Sequence, residues 1–149
     1  MATPAITGSG VFTPPEVVTN AELVAAYNTH AEAWNAAHAD AIAAGEIAEK
    51  PPSSSEFIVQ ASGIEQRHVL SRDGLLDPAV MHPWLPERAD DEPGLMAEMA
   101  VAAATEALAK AGREARDIDA VLCAASNHER AYPAIAIEVQ ALLGTGGFG

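Results

Sequence analysis

The sequence predicts an α/β protein, and three observations carry that prediction. A capping-box pattern at Thr19 to Glu22 precedes a helical apolar face, and a long amphipathic segment covers Gly94 to Ala111. The continuous apolar run Ala120 to Ala125 follows that segment and suits a strand that is covered on both faces. A helix followed by a buried strand is the element order of α/β proteins. The 149 residues, 49% of them hydrophobic, are enough for one domain with a core.

Charge and composition exclude several classes of function. The net charge is −13, with only eight Lys and Arg residues, which disfavours binding to nucleic acid or to an anionic membrane. No apolar run approaches the roughly 20 residues of a bilayer crossing, and the first residues lack the basic start of a signal peptide. A single cysteine fits a reducing compartment. We therefore expect a cytoplasmic protein.

The first elements are predicted from β-branched residues and caps. Ala5 to Phe12 is typical of a short strand that Pro14 and Pro15 would end. The Thr19 hydroxyl can cap the Glu22 amide while the Glu22 carboxylate reaches back, so a helix should begin near Asn20. Alanine-rich sequence should carry this helix to about Ala44, before Gly45.

The middle of the chain predicts a short helix, a strand and a long loop. A second capping box, Ser53 to Glu56, should start a helix that runs to about Ala61 and ends at Gly63. Imperfect alternation predicts a strand over Ile64 to Leu70. Four prolines and several acidic residues predict a loop over Asp73 to Pro93, and loops of that length are usually functional or mobile.

The second half predicts two further helices around the apolar run. Glu106 and Lys110 form a favourable i,i+4 pair on the helix over Gly94 to Ala111, which Gly112 should end. After a polar loop, Pro133 suits the first turn of a final helix. The predicted order is β, α, α, β, α, β, α.

Most residues that could carry chemistry have a simpler structural interpretation. Cys123 is flanked by apolar residues in a predicted strand, which favours an inert, buried thiol. His128 follows that strand in a loop, where α/β proteins often place site residues, and it stays a candidate. The acidic run at residues 90–92 lacks the spacing of a calcium loop. Gly8 and Gly10 have no third glycine to complete a dinucleotide motif, and no metal site is predicted.

Four ordered stretches of the chain resemble β-ketoacyl-acyl-carrier-protein synthases of type III, in the thiolase superfamily. They are ITGSGVFTPPEVVTNAEL, SEFIVQASGIEQRHV, MAVAAATEALAKAG, and the pair DIDAVLCAASN with RAYPAIAIEVQALLG. The resemblance implies a layered αβαβα fold, incomplete in this chain, and a homodimer. It also implies decarboxylative condensation of an acyl thioester with malonyl carrier in fatty acid biosynthesis. Coenzyme A or acyl-carrier thioesters would be substrates, with no separate cofactor.

The resemblance also says which functional residues to expect. The catalytic cysteine, histidine and asparagine of such enzymes match no position in residues 1–149, so catalytic residues are expected to be absent. The chain would then be an N-terminal half, inactive alone and completed by the C-terminal half, with acyl carrier protein as a further partner. Phe57 matches an aromatic residue that stacks on the adenine of coenzyme A. Tyr132 matches one that borders the acyl pocket of the dimer partner.

Several departures from the pattern leave alternatives open. Ala61 stands where relatives often have an arginine that grips coenzyme A, which places coenzyme A as donor in question. The region 1–149 is expected to be one part of a ketosynthase domain, with long inserts at about 29–52 and 73–93 that cover the tunnel mouth and retune donor choice. Two other functions stay open: a ketosynthase-like acyltransferase of secondary metabolism, and a catalytically inert subunit that partners a true ketosynthase.

Overall fold

The structure, a computed structural model, describes residues 3–127 and 129–146, which divide into two compact units. The first unit comprises residues 13–86. The second comprises the described residues of 1–12 and 87–149. Each unit buries only a few apolar side chains, and many of the larger apolar side chains among the described residues are exposed.

The first unit combines three helices with a two-stranded antiparallel sheet. Its elements are β1 (Glu16–Thr19), α1 (Asn20–Ala37), α2 (Ala39–Ala43), α3 (Ser55–Ser62) and β2 (Gln66–Val69). The strands pair with Val17 opposite His68 and Val18 opposite Arg67. Strand β1 was not predicted, whereas β2 lies within the predicted strand over residues 64–70.

The start of α1 confirms the capping box. The Glu22 amide donates to the Thr19 hydroxyl over 3.3 Å, and the Glu22 carboxylate accepts from the Thr19 amide over 2.9 Å. Asn20, which is buried, adds a tertiary contact because its side chain donates to the Ile64 carbonyl (2.7 Å) and accepts from Arg67 (2.8 Å). The same turn therefore starts the helix and fixes the chain that enters β2.

The predicted single helix to Ala44 is interrupted at His38, so that prediction was too long. The His38 ring nitrogen lies 2.7 Å from the Trp34 carbonyl oxygen, and the two rings stack with centroids 4.3 Å apart. A side chain that binds the carbonyl four residues back competes with the helical backbone. The chain leaves the helical conformation at His38 (φ −117°, ψ 20°) and resumes as α2. Gly45 follows with φ +74°, as expected for a helix end.

The second unit is built around α4 (Leu95–Ala111) and α5 (Ile135–Leu143), with a 3₁₀ turn over Ala115–Asp117. Both helices were predicted. Ala97 and Val139 are its buried apolar residues. Gly112 and Gly144 follow the two helices with φ of +61° and +68°, the left-handed conformation that glycine adopts without strain.

Residues 5–12 do not form the predicted strand but lie against α4. The Val11 amide donates to Glu106 over 2.7 Å. A Cβ added at Gly10 would overlap the Ala103 carbonyl oxygen, and one added at Gly8 would lie 2.9 Å from the Ala111 Cβ. The two glycines therefore allow the chain to approach a helix backbone.

Residues 120–125 also do not form the predicted strand, and their predicted burial is wrong for this chain. The Leu122 side chain is 97% exposed, and Cys123 is exposed. A central strand needs hydrogen-bonding neighbours at both edges. Within the described residues the strands are β1 and β2, and these pair with each other. The apolar run therefore has no strand to join there.

Candidate functional site

The first unit contains an open apolar groove between α1 and α3, with a volume of about 750 Å³. Pockets that hold small ligands typically have volumes of about 300–1,000 Å³. The described side chains that line it carry no formal charge: Leu23, Val24, Tyr27, Pro51, Pro52, Ser53, Ser54, Phe57, Ile58 and Met81.

Two asparagines of α1 hold one wall of this groove. The Asn28 side chain donates to the Ser53 carbonyl (3.1 Å) and accepts from the Ser53 amide (2.8 Å). Asn35 makes the same pair of hydrogen bonds with Lys50, both 2.9 Å long. We call these two residues the asparagine clamps. Each satisfies one amide and one carbonyl of a segment outside the regular helices and strands.

The spacing of the clamps follows from backbone geometry. Seven residues of α-helix rise about 10.5 Å, and three residues of extended chain span about 10 Å. The segment between the clamped residues is Pro51-Pro52, and prolines have no amide hydrogen to satisfy. The Tyr27 hydroxyl donates to the Pro51 carbonyl over 3.2 Å. The diproline wall is thus fixed at both ends and in the middle.

Met81 lines the groove from a strained backbone position. Its φ is +55°, the left-handed region that non-glycine residues rarely occupy. Asp77 supports this turn, because its backbone carbonyl accepts from the Met81 amide over 2.9 Å and its side chain accepts from the Ala79 amide over 2.9 Å. The predicted loop over 73–93 therefore contains an ordered turn that brings a methionine to the groove.

His30 connects α1 to the same turn. One ring nitrogen lies 2.8 Å from the Pro78 carbonyl oxygen, and the other lies 2.9 Å from the Lys50 ammonium. Since a carbonyl only accepts, the ring nitrogen beside Pro78 acts as the donor in the first of these contacts. The Lys50 ammonium also lies 4.6 Å from the centre of the Trp34 ring, within the range of a cation–π contact.

Phe57, a predicted site residue, lies on the groove with its side chain 65% exposed. It belongs to α3, which begins when the Ser54 hydroxyl accepts from the Phe57 amide over 3.1 Å. The predicted capping box of Ser53 and Glu56 is therefore not formed, and Ser54, one residue later, caps the helix with a single side-chain hydrogen bond. An aromatic ring left this exposed at a concave surface is available for stacking.

Tyr132, the second predicted site residue, is 88% exposed in the second unit. It borders a cavity of about 360 Å³ whose lining includes Arg88, Glu129 and Arg130. Arg130 donates to the backbone carbonyls of Asp90 (3.0 Å) and Glu92 (2.8 Å). The acidic run is thus held through its backbone. Among the described residues, no group of three or more His, Cys, Asp or Glu residues is placed to hold a metal ion.

The N-terminus of α4 is capped by carboxylates from distant positions. Its N-cap is Gly94, which has no side chain to accept a hydrogen bond. Glu138 accepts from the Gly94 amide over 2.7 Å, and Glu129 accepts from the Met96 amide over 2.9 Å. Carboxylates suit the positive end of a helix dipole. Glu138 also lies 3.5 Å from the guanidinium of Arg130, which lines the same cavity as Tyr132. One carboxylate therefore contacts both the start of α4 and a residue of that cavity.

The three predicted site residues fall in different parts of the chain. Phe57 lies in the first unit and Tyr132 in the second, while His128 lies outside the described residues. The asparagine clamps and Met81 were missed. Two asparagines seven residues apart, followed by Lys-Pro-Pro-Ser, were the sequence signal for the clamps, but only the fold shows that these segments meet.

Comparisons with known proteins identify relatives of similar sequence. The chain is 56% identical over 123 residues to the beta-ketodecanoyl-[acyl-carrier-protein] synthase of Pseudomonas aeruginosa, covering 83% of this chain and 35% of that protein. Beta-ketoacyl-[acyl-carrier-protein] synthase III of Granulibacter bethesdensis is 37% identical over 70% of this chain and 26% of its own length. That of Caulobacter vibrioides is 31% identical over 93% and 30%. No protein-family model matches the chain.

A solved structure shows the fold. The priming beta-ketosynthase of the R1128 polyketide biosynthetic pathway superposes with a TM-score of 0.60 over 96% of this chain and 30% of its own, at 20% identity. That likeness shows the thiolase-like α/β fold. Within the described residues, none of the helices combines the length and apolar character of a membrane crossing.

The chain spans about a third of the length of the relatives it matches. Its similarity nonetheless extends over most of its own residues, in sequence and in fold. The chain belongs to the β-ketoacyl-acyl-carrier-protein synthase III family of thiolase-like ketosynthases and corresponds to the N-terminal portion of its homologues.

Proposed function

We propose that the protein containing this chain is a 3-oxoacyl-acyl-carrier-protein synthase of type III. It would condense an acyl thioester with a malonyl thioester on acyl carrier protein, with loss of carbon dioxide. The observation that carries the proposal is the 56% identity over 83% of the chain to a beta-ketodecanoyl-[acyl-carrier-protein] synthase. The name of that relative, a beta-ketodecanoyl synthase, supports a donor of medium chain length for this protein as well.

The experiment is a product assay on the intact protein. Purified protein is incubated with malonyl-carrier thioester and a series of acyl-coenzyme A and acyl-carrier donors, from short to long chain, and the products are identified by mass spectrometry. We expect a 3-oxoacyl-carrier product two carbons longer than the donor, with a medium-chain optimum. A product that forms without malonyl carrier would contradict condensation and favour an ester- or amide-forming acyltransferase. Absence of any product with every donor would favour an inert subunit.

We assign the substrate-contacting role to Phe57 in the first unit. Its exposed ring at the apolar groove supports the assignment. In the intact protein, Phe57→Ala should raise the KM for the acyl donor with little change in kcat, because the residue binds substrate and takes no part in bond formation. An equal loss in kcat with unchanged KM would contradict this role.

We propose that Tyr132 borders the acyl site of a partner protomer in a homodimer. Its 88% exposure in this chain leaves the ring free to make such a contact. Tyr132→Ala should shift the donor optimum toward longer chains, and Tyr132→Phe should leave it unchanged. A monomeric intact protein in analytical ultracentrifugation would contradict the dimer. His128 is a further proposed substrate-binding residue, and the variant His128→Ala is tested in the same donor assay.

Acyl carrier protein is the proposed second substrate, and a cytoplasmic location is proposed with it. The net charge of −13 on this chain does not favour encounter with an acidic partner. Arg113 and Arg116 lie three residues apart and could form a local docking patch, but Arg116 pairs with Glu114 at 2.7 Å and is thereby partly neutralised. We therefore propose that the carrier docks on residues outside this chain. Charge reversal at Arg113, the second arginine, should leave the KM for carrier unchanged.

A further inference from the structure

We infer that Met81 is a specificity-determining residue for the acyl donor, because it brackets the adenine ring of a coenzyme A thioester together with Phe57. The inference rests on the proposed function, which gives Phe57 its contact with the donor. It goes further by assigning a donor contact to a residue of the long segment 73–93. Both residues line the same groove, where the Phe57 ring is exposed.

The departure at position 61 leaves room for such a contact. Ala61 lies four residues after Phe57, on the same side of α3, and its methyl group cannot replace the arginine that relatives often have there. Lys50 is no substitute, since its ammonium already contacts His30 and the Trp34 ring. The groove lining offers aromatic and thioether surface instead. A thioether packs favourably against an aromatic ring.

The lining fits the base of coenzyme A better than its phosphates. None of the described side chains that line the groove carries a formal charge, whereas phosphates need lysine or arginine partners. Adenine is planar and uncharged at neutral pH, so it can stack on an exposed ring without such a partner. Because the groove is open, the base can enter while the phosphates stay in water.

The loop around Met81 is closed and internally hydrogen-bonded. Its ends are joined because the Trp84 amide donates to the Asp73 carbonyl over 2.7 Å. Gly74 lets the Trp84 ring approach, since an added Cβ would lie 2.5 Å from the ring atom Cδ1. Within the loop, Asp77 supports the left-handed turn at Met81. Strained residues persist only where their surroundings fix them, and they cluster at ligand sites.

The test compares donors with and without adenine in the intact protein. Met81→Asn removes the thioether but suits the left-handed turn, since asparagine enters that region more readily. We expect the KM for octanoyl-coenzyme A to rise roughly three- to tenfold with little change in kcat. The KM for octanoyl-pantetheine, which lacks adenine, should stay unchanged. His82→Ala, at an exposed neighbour outside the lining, is the control and should change neither KM. Equal increases for both donors in Met81→Asn would overturn the inference.

Calorimetric titration with free coenzyme A tests the contact without the reaction. We expect Met81→Asn to weaken binding by the same factor, and if that variant does not fold, Met81→Ala serves instead. Asp77 acts as a positioning residue: Asp77→Ala should weaken binding as well, and Asp77→Asn, which keeps the acceptor for the Ala79 amide, should restore it. Unchanged affinity in a folded Met81 variant would overturn the inference. Condensation from carrier donors without coenzyme A binding defeats only this inference, and Met81-dependent binding without condensation defeats only the proposed function.

Discussion

The Asn35 side chain and the Lys50 backbone are joined by two hydrogen bonds of opposite direction, each 2.9 Å long. Asn28 repeats the arrangement with Ser53, two helical turns earlier. A segment without regular secondary structure thereby gains backbone partners of the kind that a neighbouring strand would supply. The two asparagines thereby fix the diproline wall against α1.

Loss of a clamp should therefore cost stability. We expect Asn28→Ala and Asn35→Ala each to lower the free energy of unfolding by about 1–3 kcal/mol, since each removes two hydrogen bonds and leaves backbone groups unpaired. Glu32→Ala, at an exposed position of the same helix, is the control and should change it by less than about 0.5 kcal/mol. Urea unfolding of the intact protein measures all three. Equal effects at Asn28 and Glu32 would contradict the role of the clamps.

Residues 5–12 lie close to α4, so a larger residue at Gly10 should strongly lower the free energy of unfolding. Gly10→Ala would place a Cβ on the Ala103 carbonyl oxygen and 2.7 Å from the Ala107 backbone nitrogen. Because both atoms belong to a helix backbone, we expect a loss of about 1–3 kcal/mol or more. Gly146→Ala is the matched control, as its nearest contact would be 3.9 Å from Arg116. Thermal unfolding followed by circular dichroism should separate the two variants by several degrees.

The ion pair between Glu22 and Arg72 predicts a specific response to acid. The hydrogen bond from Arg72, with those from the Thr19 backbone and side chain, lowers the pKa of Glu22 from 4.5 to about 2. A carboxylate with a folded pKa below its unfolded value binds more protons in the unfolded state. Its contribution is present above pH 4.5 and is lost as the pH falls from 4.5 through about 2.

Melting temperatures between pH 6 and pH 2 test this response. Glu22→Gln should flatten the acid limb of the wild-type curve, and Arg72→Gln should flatten it as well because Arg72 is the largest cause of the shift. The acid limb of the double variant should match that of Glu22→Gln, since neither variant keeps the carboxylate that titrates. An acid limb that survives Arg72→Gln would assign the shift to the Thr19 contacts instead.

Capping of α4 from α5 predicts unequal effects of two glutamates. The Glu138 side chain is 10% exposed and serves both the Gly94 amide and Arg130, so Glu138→Ala should cost about 1–3 kcal/mol. Glu129, which is exposed, caps the Met96 amide, and Glu129→Ala should cost about 1 kcal/mol or less. Hydrogen exchange at the first turn of α4 should rise more in the first variant. The reverse order would contradict the assigned roles.

Local structure that depends on neighbouring residues could be predicted from the amino-acid sequence. Thr19 and Glu22 form a complete capping box from four consecutive positions, and Gly63, Gly112 and Gly144 end helices in the left-handed conformation that glycine alone adopts freely. The family could also be inferred from the sequence, because four ordered stretches along the chain match it.

The tertiary structure decided what depends on residues that are distant in sequence. Residues 5–12 and 120–125 have the composition of strands, yet a strand exists only where a neighbouring chain offers its backbone, and β1 and β2 pair elsewhere. The burial of Cys123 failed as a prediction for the same reason. The asparagine clamps and the Glu138 cap join positions from 15 to 44 residues apart. Their partners are chosen by packing, which no local pattern encodes.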